Sequence, residues 1–402
     1  MVLSRTTRVN FLIGNGHFLS HFYVLCLPPL FLVWRNTFGV SFAEVGLVVA
    51  LMSGTTAILQ TPVGFLVDRL GARAFLVGGT LLMCLSMAAM GFATSFWQIL
   101  ALAALSGVGN SVIHPCDYAI ITGSVDHERM GASFSLHTFS GNIGFAAGPP
   151  VMALLAVSMG WRASLVLVGL VGIPVVLAIL LQSAILKDQV HHEPQHAGEA
   201  LTGRALLLSR TILLFFGFYL LGSMASAGVQ AWLITVLHTV KAMDIALASA
   251  ALTGFMLGTS LGVLLGGWFA DAYRAYVQGL AVGLIIFSAA LLLVVALLLL
   301  PAAVVIGLMF VAGVAIGSSR TPRDVMLKDA SPPGQIGKVF GFVSAGLPLG
   351  SALTPVPFGA LIDHHHPELV LILVAALLLG SLLCMGSARA SARAGIVAVA
   401  AE

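Results

Sequence analysis

Polar and apolar residues in this chain alternate on the scale of whole helices rather than of neighbouring positions. Ten stretches contain no Asp, Glu, Lys or Arg and reach the roughly 20 residues that a helix needs to cross a hydrocarbon core. Eight have the length of one helix: 11–34, 45–67, 130–161, 163–186, 211–240, 245–270, 339–362 and 370–388. Two more, 74–116 and 275–319, are about double that length and are interrupted near Ala93-Thr94-Ser95 and at Pro301. The pattern predicts an all-α membrane protein with twelve transmembrane helices, six per half. A barrel would instead show short segments of alternating polarity.

The chain is also written twice. Gly64-Phe65-Leu66-Val67-Asp68-Arg69-Leu70-Gly71-Ala72-Arg73 returns as Gly267-Trp268-Phe269-Ala270-Asp271-Ala272-Tyr273-Arg274. His114-Pro115-Cys116-Asp117 returns as Thr321-Pro322-Arg323-Asp324, and Gly148-Pro149 as Thr354-Pro355. Two similar bundles that rock about a shared midplane site are the expected use of such a duplication. The expected domains are a six-helix bundle over 1–186, a polar cytoplasmic linker over 187–209, and a second six-helix bundle over 210–402.

Charge adds an orientation. Only 8% of residues are charged and 59% are hydrophobic. With the amino terminus inside, Arg35, Arg162 and Lys241 alone among 18 basic residues fall on the outer side, as the retention of Lys and Arg in cytoplasmic loops requires. Both termini and both charged hairpins are therefore expected in the cytoplasm. The net charge of +3 follows from this topology and gives no reason to expect a nucleic-acid partner. Cys26, Cys84, Cys116 and Cys384 are scattered, so neither a disulfide framework nor a zinc site is expected. His191, His192 and His196 in the linker, and His364-His365-His366 in an outer loop, are read as plain loop residues. No nucleophile with an adjacent base, phosphate loop or metal-spaced ligand set marks an enzyme, and no cofactor is expected.

Ionisable groups inside a span are costly and point to function. His17 and His21 are four apart and share a helix face. Imidazole titrates near neutrality, so the pair can relay a proton, bind an anion when charged, or simply be hydrogen-bonded within the bundle. His114 and Asp117 follow a kink expected at Pro115, and Asp117 is either the proton carrier or a static gate. Arg320 and Asp324 are four apart and can neutralise each other; alternatively Arg320 or Arg323 binds an anionic head through a forked hydrogen-bond pair. His137, Asn142, Tyr23 and Trp232 are further cavity candidates, with Gln60, Tyr219 and Gln230. Glu44 is expected to cap the second helix.

With the charged hairpin, the duplication and the segment Gly141-Asn142-Ile143-Gly144-Phe145-Ala146-Ala147-Gly148-Pro149-Pro150, the chain resembles a major facilitator superfamily transporter over essentially its whole length. The hairpin is similar to that family's loop signature, which implies a cytoplasmic latch of Gly64, Asp68, Arg69, Gly71 and Arg73, with Asp271 as its weaker mirror. Asp68 would sit near a helix end of the opposite half and help to hold the outward-open state. Gly144, Gly148 and Pro149 resemble the Gly-x-x-x-Gly-Pro element of proton-driven exporters, whose helix kink implies antiport; a merely structural kink is the alternative. Gly16-His17-Phe18-Leu19-Ser20-His21, His114-Pro115, Gly141-Asn142 and Pro333-Gly334-Gln335-Ile336-Gly337 resemble the fosmidomycin-resistance type of exporter, although His21 and Cys116 stand where that type carries acids.

The resemblance implies a monomeric carrier of the bacterial inner membrane, exporting a small amphiphilic or anionic compound in exchange for protons by alternating access. Uptake of a small carboxylate together with protons is the alternative, and a receptor built on a transporter fold is a third.

Overall fold

The computed structural model describes residues 4–126, 129–187, 207–273, 276–331 and 336–399. These are helical almost throughout, and eleven segments are long and apolar enough to cross a membrane. The first comprises α1 (Arg5–Cys26), a 3-10 turn at Pro28–Leu30, and α2 (Phe31–Phe38). Then follow α3 (Phe42–Leu70), α4 (Ala72–Met90), α5 (Phe96–Asn110), α6 (Ile113–Ser124), α7 (Met130–Val171) and α8 (Ile173–Leu181). The remainder is α9 (Arg210–Lys241), α10 (Ile245–Ala272), α11 (Val277–Leu297), α12 (Ala302–Ser318), α13 (Arg320–Ala330), α14 (Ile336–Ser344), α15 (Gly346–Leu353), α16 (Pro355–Asp363) and α17 (Glu368–Val399).

The breaks fall where the backbone needs them. Ser41 and Glu44 form the expected capping box at the start of α3: the Ser41 hydroxyl accepts from Glu44 N–H at 3.1 Å and Glu44 Oε2 from Ser41 N–H at 2.7 Å. Gly71 joins α3 to α4 with φ of 90°, a region that L side chains avoid. The long runs divide between Met90 and Phe96 and between Leu297 and Ala302, as expected. Within α7 the non-helical backbone falls at Gly160, with φ of 78°, and not at Pro149; the chain stays helical through Pro149 and Pro150. The duplication is visible in three dimensions. Pro115 is the third residue of α6 and Pro322 the third of α13, each just beyond a break in a transmembrane segment. A proline there costs little, because first-turn N–H groups have no helical acceptor.

Small residues bring the helices together. A Cβ on Gly258 of α10 would lie 2.1 Å from the Phe310 carbonyl oxygen, and one on Gly313 of α12 2.2 Å from that of Phe255. Glycine is the one residue that permits this reciprocal approach. Gly144 and Gly148 do the same for α7 on α1: their Cβ atoms would lie 2.3 Å from Phe18 O and 2.9 Å from Phe22 O. The two halves meet where α10 packs on α7 and where α3 packs on α15 and α16. At the second contact Asp363 reaches across, its carboxylate accepting from Phe42 N–H and Ala43 N–H at 2.8 Å each. The Trp232 indole donates to the Pro355 carbonyl at 2.9 Å beside them.

Candidate functional site

α1, α6 and α7 place four imidazoles around one point. His17 and His21 lie one turn apart on α1, with ring centroids 4.4 Å from each other. His114 of α6 is 5.1 Å from His17 and 6.0 Å from His21, and His137 of α7 stacks on His17 at 3.6 Å. Gly141 makes the room: a Cβ there would fall 2.5 Å from His17 Cε1 and 3.0 Å from His21 Cε1. His17 Nδ1 donates to the His137 carbonyl at 2.7 Å, since a carbonyl only accepts.

Asp117 lies beneath the cluster, fully buried, with Oδ2 2.9 Å from His137 Nε2. This differs from the sequence reading, which set Asp117 beside His114 on its own helix. A carboxylate at zero exposure needs a hydrogen-bonding partner, and the partner comes from α7.

The second half presents a different group. Asp324 pairs with Arg323 at 3.0 Å and accepts from the Tyr219 hydroxyl at 2.6 Å, while Arg323 lies 3.9 Å over the Tyr219 ring. Of the two readings of this segment, the one that pairs Arg320 with Asp324 is not met as an ion pair among the described residues: Asp324 is taken by Tyr219 and Arg323, and acts on Arg320 only at longer range. Among the described residues Arg320 makes no ion pair, and its guanidinium is close enough to His21 to act on it electrostatically. Between the halves a cavity of ≈ 370 Å³ is lined by Phe134, Thr138, Asn142, Val263, Gly267 and Thr321.

Other candidates stand apart from this cluster. The Tyr23 hydroxyl is turned to Cys84 Sγ at 3.3 Å and to the Val168 and Gly169 carbonyls, inside the first half. Trp232 is occupied at Pro355. Of the hairpin residues, Gly64 faces open space, Arg69 is exposed and Arg73 is half-buried. The side chains of Asp68 and Asp271, and the linker from 188 to 206, lie outside the described residues.

Paired halves, a buried carboxylate beside histidines and a cavity between the halves are the anatomy of a carrier. The sequence profile of the Major Facilitator Superfamily matches residues 13–249 and again 211–395. The chain belongs to that superfamily. Among its relatives in the superfamily, the Fosmidomycin resistance protein of Escherichia coli (strain K12) is 26% identical over 381 residues, covering 92% of this chain and 90% of that one. The Membrane sensor protein UhpC of the same organism is 26% identical over 347 residues, covering 81% and 79%. A bacterial homolog of the human lysosomal transporter Spinster, solved in an inward-facing and occupied conformation, shares the superfamily fold with a TM-score of 0.79, 14% identity and 98% coverage of both chains. A superfamily chain of this kind is a multi-pass membrane transporter for small molecules and not an enzyme.

Two relationships were missed by sequence reasoning. The Asp117–His137 pair joins different helices, and no local spacing marks it. The Asp363 cap joins residues 321 positions apart, and at its own position Asp363 reads only as the end of an apolar run.

Proposed function

We propose that this protein is a secondary transporter of the bacterial inner membrane that exports a small amphiphilic or anionic compound in exchange for protons. It would have twelve spans in two six-helix bundles, with both termini cytoplasmic. The stretch 132–181 counts as two of those spans: 50 helical residues would extend about 75 Å, against a core of about 30 Å, and the chain turns at Gly160.

One observation carries the reading: a fully buried Asp117 bonded to His137 inside the membrane-spanning part of the first half. A lone buried carboxylate is poorly tolerated in lipid, so a carboxylate–imidazole pair that can take up and release one proton is a natural coupling element. His17, His21 and His114 offer further proton-accepting nitrogens beside it. In the second half Arg320, which forms no ion pair among the described residues, would meet the anionic part of the cargo, with Asn142 lining the cavity between the halves. Tyr23 and Trp232 serve helix packing instead. The contacts at the Asp363 end would hold the outer side shut. The Gly64–Arg73 hairpin, with Asp68, Arg69 and Gly71, is the expected counterpart on the cytoplasmic side, mirrored by Asp271.

The test is transport in proteoliposomes under an imposed pH gradient, following internal pH while fosmidomycin and then small carboxylates and phosphonates are added. Substrate moving against the proton flow supports exchange. Substrate and protons entering together would instead favour carboxylate uptake at Arg320, the second reading, which the absence of an ion pair to Arg320 among the described residues supports. Binding without movement of either would point to a receptor.

A further inference from the structure

The histidine cluster contains an arrangement that proton uptake at the Asp117–His137 pair does not require. His17 Nε2, His21 Nδ1 and His114 Nδ1 are buried and have no hydrogen-bond partner. Buried polar atoms without a partner are exceptions that need a cause. The same three residues also converge: one ring nitrogen from each lies within 4.8 Å of the others.

We infer that His17, His21 and His114 form a binding site for a borderline divalent transition-metal cation of the zinc, cobalt or nickel kind. Three neutral imidazoles suit such ions, whereas magnesium and calcium require oxygen ligands. On a tetrahedral zinc with Zn–N of about 2.1 Å, neighbouring nitrogens stand about 3.4 Å apart, so the rings need to close by at most about 1.4 Å from the present spacing.

The surrounding shell fits as well. His17 Nδ1 donates to the His137 carbonyl at 2.7 Å, which fixes the tautomer that leaves the Nε2 lone pair for a metal. Behind it stands the His137–Asp117 pair, whose carboxylate supplies negative charge against a dication. Arg320 is the nearby positive charge from the other half, and it opposes a bare cation while favouring an anion as the fourth ligand. A metal also competes with protons for the same lone pairs. The site itself does not depend on the transport reading.

The test uses the full chain in detergent, purified without a polyhistidine tag. The background carries His127, His191, His192, His196, His364, His365 and His366 as Ala, so that none of these seven can contribute. Equilibrium dialysis with Zn2+ is expected to give one ion per chain, and Co2+ to give the visible bands of a tetrahedral ion. His17→Gln, His21→Gln or His114→Gln should each weaken Zn2+ binding at least tenfold while the protein stays monodisperse on gel filtration. His137→Gln, which leaves in place the backbone carbonyl that holds His17 Nδ1 and removes only the ring stacked on His17 and bonded to Asp117, should weaken it less than any of these three. Absence of Zn2+ binding in the background protein, or binding that all three folded Gln variants retain, overturns the inference. Neither outcome bears on whether protons are exchanged for cargo.

Discussion

Asp117 Oδ2 and His137 Nε2 stand 2.9 Å apart in a part of the first half where both residues are buried. Each residue is tolerable there chiefly because of the other. Removing one partner of such a pair costs about 3–5 kcal/mol, since the survivor keeps its desolvation without compensation. His137→Leu is therefore expected to destabilise the protein by that order, and the double variant Asp117→Asn with His137→Gln to recover most of the loss. Thermal unfolding in detergent reads both. Equal stability of His137→Leu and the parent would show that the pair is not formed.

The Asp363 carboxylate closes one end of the molecule by capping the start of α3 from the opposite half. Loss of an N-cap costs about 0.5–2 kcal/mol, and about 1.4 kcal/mol is a tenfold change in a conformational equilibrium. Asp363→Ala is expected to shift the carrier toward opening at that end. Spin labels at Thr37 and Glu368 should then gain a longer distance component. An unchanged distribution would mean that the cap does not contribute to closure.

Gly258 and Gly313 hold α10 and α12 in reciprocal contact, with Cβ positions only 2.1 and 2.2 Å from backbone oxygens. Neither backbone can give way like a flexible side chain. Gly258→Val or Gly313→Val is expected to lower stability by about 1–3 kcal/mol or more. Gly279→Ala, where nothing lies within 4 Å, should be tolerated. Melting temperatures of the three variants provide the check.

Arg320 and Arg323 lie three positions apart but differ in role. Arg323 is engaged by Asp324 and Tyr219, while Arg320 pairs with no carboxylate among the described residues. Arg323→Ala is expected to reduce stability more than Arg320→Ala, whereas Arg320→Ala should cost at least tenfold in transport of an anionic substrate. The prediction fails if the two variants exchange these effects. Paired melting and uptake measurements separate them.

The transmembrane pattern was legible because a helix in lipid demands a long uncharged run, and the breaks were legible because Thr94, Ser95 and Pro301 punctuate those runs. The kink expected around Pro115 appears as a break just before it, and Pro322, its echo, stands just past an equivalent break that was not foreseen. Side-chain partnerships were less accessible. The i, i+4 rule put Asp324 with Arg320, but it ignores a hydroxyl arriving from another helix, and Tyr219 takes the carboxylate. His17 and His21 were found together from their spacing, while His114 and His137 join them only through the packing of α6 and α7. For the same reason the spacing showed no metal site. Gly144 and Gly148 were recognised as one face, yet the backbone departs from helix at Gly160, where positive φ decides the matter.

The central claim is that proton uptake at Asp117 drives the carrier. The most direct measurement is substrate-dependent proton flux in proteoliposomes containing Asp117→Asn, run beside substrate-for-substrate exchange in the same vesicles. The account predicts that proton-driven net transport is abolished while exchange stays measurable, because the variant keeps the buried site but cannot titrate. Full proton-driven transport by Asp117→Asn would contradict it.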